Sequence, residues 1–101
     1  MNIDYIVDEY DGNTKVPIVN KEKTNYDAIV FVISQYGSKK IALRIKGTEK
    51  ISEIRKEIGA IDGFQKNINY MKLYCDGSKL NDNDYVLQSS IRHKRRIFLM
   101  R

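Results

Sequence analysis

A single cysteine, a single proline and a single histidine in 101 residues exclude more than they suggest. One thiol closes no intrachain disulfide, so the economical expectation is a reducing, intracellular compartment, cytoplasmic or nuclear. One histidine leaves no His pair and no Cys/His spacing for a metal, and a lone imidazole for all general-base work. No glycine-rich loop is present to cradle a phosphate. The longest apolar run, Ala28 to Ile33 (AIVFVI), is far too short to cross a bilayer. The opening stretch MNIDYIVDEYDG is acidic and lacks the basic-then-apolar layout of a signal peptide. The expectation is a protein that is not an enzyme, with no cofactor, no metal and no membrane partner.

What is present describes one soluble domain. A chain of 101 residues holds one core and rarely two, and 42% hydrophobic with 31% charged residues is an ordinary globular balance. The net charge of +5 is unevenly placed. Residues 1–27 hold six acids against three lysines, a net −3, and the remainder holds fifteen basic and seven acidic residues, a net +8. An acidic arm beside a basic body can fold back on it or mask it from an anionic partner. The plainer expectation is two separately solvated surfaces.

From Ala28 the pattern sharpens. AIVFVIS is β-branched and aromatic, and a turn signal follows at Tyr36-Gly37-Ser38-Lys39. KIALRIK then alternates, with Ile41, Leu43 and Ile45 on one face and Lys40, Ala42, Arg44 and Lys46 on the other. That is a half-buried strand, the second of a hairpin. The period changes at Ile51, Ile54 and Ile58, one stripe of a helix expected over Glu49 to Ile58, with Thr48 as its nearest cap and Gly59 at its end. A loop spans 62–69. A strand is expected over Tyr70 to Cys75, then a turn at Asp76-Gly77-Ser78 and a polar link holding Val86, Leu87 and Ile91 as apolar plugs. RRIFLMR closes the chain as a strand, with Ile97 and Leu99 opposite Phe98 and Met100. Cys75 ends a strand without a partner histidine nearby, and is expected to fill space rather than react. Asp82 and Asp84, two apart in the link, are expected to form turns.

The order β-β-α-β-β with these residues resembles ubiquitin and the ubiquitin-like domains, over Ile29 to Arg101. The anchors are the Ile41/Leu43/Ile45 alternation, the Ile51/Ile54/Ile58 stripe with Arg55 in place of a buried helical lysine, "KLYCDGSKL", and Ile91, Ile97 and Leu99. The resemblance implies an α+β, β-grasp fold, a mixed sheet of four to five strands on one helix, its first and last strands parallel. Residues 28–101 would form the domain and residues 1–27 an N-terminal extension, either a small hairpin around Asp11-Gly12 with Pro17 confined to an edge or a partly disordered tail, partial order being the expectation.

Ubiquitin's recognition patch carries over to Tyr36, Tyr74, Phe98 and Met100, none identical yet all large and apolar or amphipathic. The resemblance therefore implies a monomeric adaptor that docks on ubiquitin-receptor-type protein domains. As written the sequence ends at Met100-Arg101 without the paired glycines of conjugated relatives, and Ser78 and His93 stand where ubiquitin has chain-forming lysines. A non-conjugated domain is expected, a trimmed modifier being the further alternative. A different partner class, RNA or another polyanion, is suggested by the run Arg92-His93-Lys94-Arg95-Arg96.

Overall fold

The continuous apolar run at 28–33 has no polar face, and the fold uses both of its faces. Residues 4–34, 39–61, 63–64 and 68–100 are described by the computed structural model. Among them the order is β1 (Tyr5–Asp8), β2 (Thr14–Pro17), β3 (Ala28–Ile33), β4 (Lys40–Ile45), helix α1 (Ile51–Gly59), β5 (Lys72–Cys75), β6 (Ser78–Lys79) and β7 (Arg96–Met100). β1 and β2 form a separate antiparallel hairpin, and the other five strands form one sheet in the order β4-β3-β7-β5-β6. The sheet is mixed: β3 and β7 are parallel, pairing Val32 with Ile97 and Ile33 with Phe98, while the other neighbours are antiparallel. The parallel pairing implied by the resemblance is therefore present.

The inner face of this sheet meets α1. Val30, Val32, Ile41, Leu43, Ile45, Leu73, Ile97 and Leu99 pack with Ile51, Ile54 and Ile58 of the helix into one buried cluster. Each fully buried aliphatic side chain contributes about 1.5–3 kcal/mol relative to exposure, so this layer supplies most of the drive to fold.

α1 begins two residues later than expected and without a capping side chain: its cap residue is Lys50, not Thr48. The physical reason lies in the polar link. The carbonyls of Asp84 and Asp82 accept from the amides of Ile51 and Ser52 at 2.9 and 3.1 Å, which satisfies first-turn donors that a Ser or Thr cap would otherwise serve. The third expected strand is also shorter, because Ile68–Tyr70 is a 3₁₀ turn and pairing starts at Lys72. Asp76 and Gly77 both have positive φ, 52° and 78°, forming the two-residue turn that pairs Cys75 with Ser78. Leu87 is not a plug: it is 70% exposed, whereas Val86 and Ile91 are buried.

The hairpin at the amino end lies on the outer face. Val16 and Ile18 are buried with Ile29, Phe31 and Ala42 in a second cluster, with Ile6 at its margin. Ala42, expected on a solvated face, is thus fully covered. Beyond β2 the chain runs along the β4 edge: Val19 donates to the Ala42 carbonyl at 3.1 Å, and the Asn20 side-chain amide bonds both the N–H and the C=O of Arg44 at 2.8 and 2.9 Å. An edge that would otherwise offer unpaired backbone groups is closed.

Candidate docking surface

The arm covers the outer face over β3 and β4 and leaves it open over β7 and β5. Strand parity places Arg96, Phe98 and Met100 outward on β7 and Lys72 and Tyr74 outward on β5, since Ile97, Leu99, Leu73 and Cys75 are buried inward. Register then brings them together: Tyr74 lies opposite Phe98, and Lys72 opposite Met100. Phe98 and Met100 are 37% and 49% exposed, and Tyr74 is half-buried. Three of the four patch residues expected from the resemblance are therefore one contiguous surface, and the fourth, Tyr36, lies outside the described residues. Lys72 and Lys79 flank the patch and form no ion pair among the described residues, Lys79 sitting opposite Tyr74 in register. Sequence reasoning had not assigned these lysines a role, although the alternation already placed Lys72 on the face of Tyr74.

What holds the boundary between covered and open halves is a buried carboxylate. Asp8, at the end of β1, is fully buried. Its Oδ2 accepts from Lys40 Nζ at 2.7 Å and Arg96 Nη2 at 2.8 Å, and its Oδ1 accepts from the Tyr10 amide at 3.1 Å. Lys40 lies on β4 and Arg96 on β7, so one carboxylate straps the arm across β3. Burial pushes the Asp8 carboxyl up, but the hydrogen bonds from Lys40, Arg96 and Tyr10 outweigh it, and the group sits below its ordinary value. Burial likewise pushes Lys40 down, and Asp11 and Asp8 together raise it above the ordinary lysine value. Tyr10 stacks on the Arg96 guanidinium at 5.3 Å, beside a shallow hollow of about 200 Å³ that reaches Phe98.

The acidic arm and basic body are therefore not two separately solvated surfaces. Lys94 meets Glu9 at 3.8 Å, Arg95 meets Asp76 at 3.6 Å, and Arg96 is held by Asp8. Arg92 folds onto the carbonyls of Ser89 and Ile91. His93 accepts the Ile29 amide hydrogen at Nδ1, 3.1 Å, which extends the β3–β7 pairing. Of the five basic-run residues, three are matched to acids of the same chain.

No known protein family matches the sequence, and no curated protein matches it either. The fold does match solved structures, among them the solution NMR structure of the ubiquitin-like domain of an Arabidopsis thaliana protein. The likeness covers 81% of this chain and 84% of that one, with a TM-score of 0.65 and 20% sequence identity. The fold is ubiquitin-like. At that identity the likeness fixes the scaffold, and a scaffold matched by 225 solved chains decides no function by itself.

Within this fold the one thiol is a core atom. Cys75 is fully buried, and burial, aided by the Asp76 charge, pushes its thiol above the ordinary value. A thiol so placed is a poor nucleophile. Among the described residues no group of three or more His, Cys, Asp or Glu side chains could hold a metal ion. Asp82 and Asp84 serve α1 through their carbonyls, and the Asp82 carboxylate meets Arg55 Nε at 3.1 Å. Among the described residues no helix is long and apolar enough to cross a membrane.

Proposed function

We propose that the chain is an adaptor module that docks on ubiquitin-receptor-type protein domains through Tyr74, Phe98 and Met100, with Tyr36 as the expected fourth member, and carries out no reaction of its own. One observation carries this reading: the arm, which buries the neighbouring apolar residues of the same face, stops short of these three. A sheet face that covers Ile29, Phe31 and Ala42 but leaves two large apolar side chains open has a surface suited to a partner. It acts as a monomer inside the cell. RNA binding through Arg92 to Arg96 is the weaker reading, because Glu9, Asp76 and Asp8 already neutralise three of those cations.

The test is backbone-amide NMR on labelled protein with added ubiquitin-receptor domains, repeated with Tyr74→Ala. Shifts centred on Tyr74, Phe98 and Met100, absent in the variant, are the expected result. Still amides there, with Arg92 to Arg96 moving on addition of short RNA and returning at high salt, would overturn the adaptor reading.

A further inference from the structure

At the other end of the sheet, away from the Tyr74 patch, lies a second surface with its own chemistry. The link before β7 forms a 3₁₀ turn at Val86–Gln88. Its backbone is tied down on both sides: Val86 donates to the Glu49 carbonyl at 2.8 Å, Leu87 to the Gly47 carbonyl at 3.1 Å, and the Tyr85 amide to Gln88 Oε1 at 3.1 Å. On this fixed turn Leu87 is 70% exposed, against 49% for Met100. It lies close over Gly47, where even a Cβ would come within 2.6 Å of Leu87 Cγ. Beside it is a hollow of about 300 Å³ walled by Ala28, Ile45, Val86 and Ile91.

The rim of that hollow holds one cation, Arg92, and one carboxylate, Asp27. That carboxylate is used by the Gly47 amide at 2.7 Å. Arg92, exposed on the rim, is steadied by two loop carbonyls but meets no carboxylate among the described residues. His93 has its Nδ1 taken by the Ile29 amide, so its ring hydrogen is on Nε2, a donor with no partner among the described residues. An apolar hollow with a pre-positioned leucine at its lip and two unspent donors at its rim selects an aliphatic side chain next to an anion.

We infer that this hollow is a second docking site, for a partner's peptide segment that carries a large aliphatic side chain beside a carboxylate. The two sites sit at opposite ends of β7, so the domain can hold two partners at once. The inference stands on its own residues and survives failure of the Tyr74 patch.

N-acetyl-leucine carries both required groups and is the probe. Titrated into the labelled chain, it is expected to shift the amides of Gly47, Leu87, Arg92 and His93 with a dissociation constant on the order of millimolar, as its size allows. N-acetyl-leucinamide, which lacks the charge, and Arg92→Gln with the charged probe are each expected to bind roughly threefold more weakly. Leu87→Ser alters an exposed side chain, leaves the fold intact, and is expected to abolish the shifts, whereas Tyr74→Ala leaves them unchanged. Three results overturn the inference. These are amides that stay still with the probe, an uncharged amide that binds as well as the acid, and shifts that arise on concentrating the protein alone, which would make the occupant a second copy.

Discussion

Replacing Asp8 by Asn tests whether one carboxylate holds the arm. The amide keeps the size of the side chain but cannot serve both of its sides: Oδ2 faces two cations, and Oδ1 faces the Tyr10 N–H. Whichever way it is turned, an NH₂ group meets donors. Hydrogen bonds to charged groups contribute about 1.5–3 kcal/mol each, and breaking a buried ion pair costs about 3–5 kcal/mol. Lys40 keeps Asp11 at 2.7 Å, and the Lys40 and Arg96 side chains are 18% and 27% exposed, so neither cation is stranded. The lower end applies, about 3 kcal/mol, which is roughly a hundredfold in an opening equilibrium. Native-state hydrogen exchange reads it directly. The Ile18 amide, bonded to the Asp4 carbonyl, should exchange roughly a hundredfold faster, while Leu43 and Leu99 in the sheet keep their protection. A change below about threefold at Ile18 would refute the strap, and equal acceleration of the sheet amides would refute its independence from the core. Acid should act in the same way on the unaltered protein. Asp8 is depressed below its ordinary 3.8, so its contribution is complete above that pH and is lost as pH falls through the lower folded value. In the Asn variant that acid-induced step should disappear.

Lys23 bridges Glu49 and Glu57 at 2.9 and 2.6 Å, tying the arm to α1. Lys23→Met should cost about 2 kcal/mol in urea denaturation by leaving two carboxylates facing each other. Burial pushes this lysine down, but Glu57 and Glu49 raise it above 10.5; its contribution is therefore full below that pH and fades as pH rises through the folded value, a limb the variant should lack. Asn20→Ala should cost about 2 kcal/mol by stripping both backbone bonds from Arg44, and sedimentation should show association through the opened β4 edge. Iodoacetamide should label Cys75 at least about a hundredfold more slowly in native than in urea-unfolded protein, because access requires opening the core. Fast native labelling would contradict its burial.

The inner core was legible because its residues obey a period. Ile41, Leu43 and Ile45 announce a strand and Ile51, Ile54 and Ile58 a helix, and both patterns survive in the structure because one face of each is buried against the other. The outer cluster had a signal that alternation alone underweights: a run such as AIVFVI, with no polar residue, describes a strand buried on both faces, and the second cover had to come from elsewhere in the chain. That cover is the arm, whose position over β3 is fixed by Asp8 meeting two residues far away in sequence. No local pattern encodes such a contact, so the basic run read as a free surface when most of it was spoken for. The start of α1 escaped for a related reason: its caps are carbonyls of residues 82 and 84, invisible in the residues around Thr48. Tyr74, Phe98 and Met100 could be placed from alternation, since nothing long-range overrides it there.

The strap also sets an order of events during synthesis. Asp8 and Arg96 are 88 residues apart. The arm emerges from a ribosome well before its anchor, so it must wait for the rest of this fold to be made before it can dock. Until then Ile29 and Phe31 have no lid, and β3 has no parallel neighbour, since β7 supplies both the pairing and the arginine. A nascent chain carrying this fold therefore exposes a sticky strand from the time β3 emerges, and that vulnerability to aggregation ends only when β7 is made.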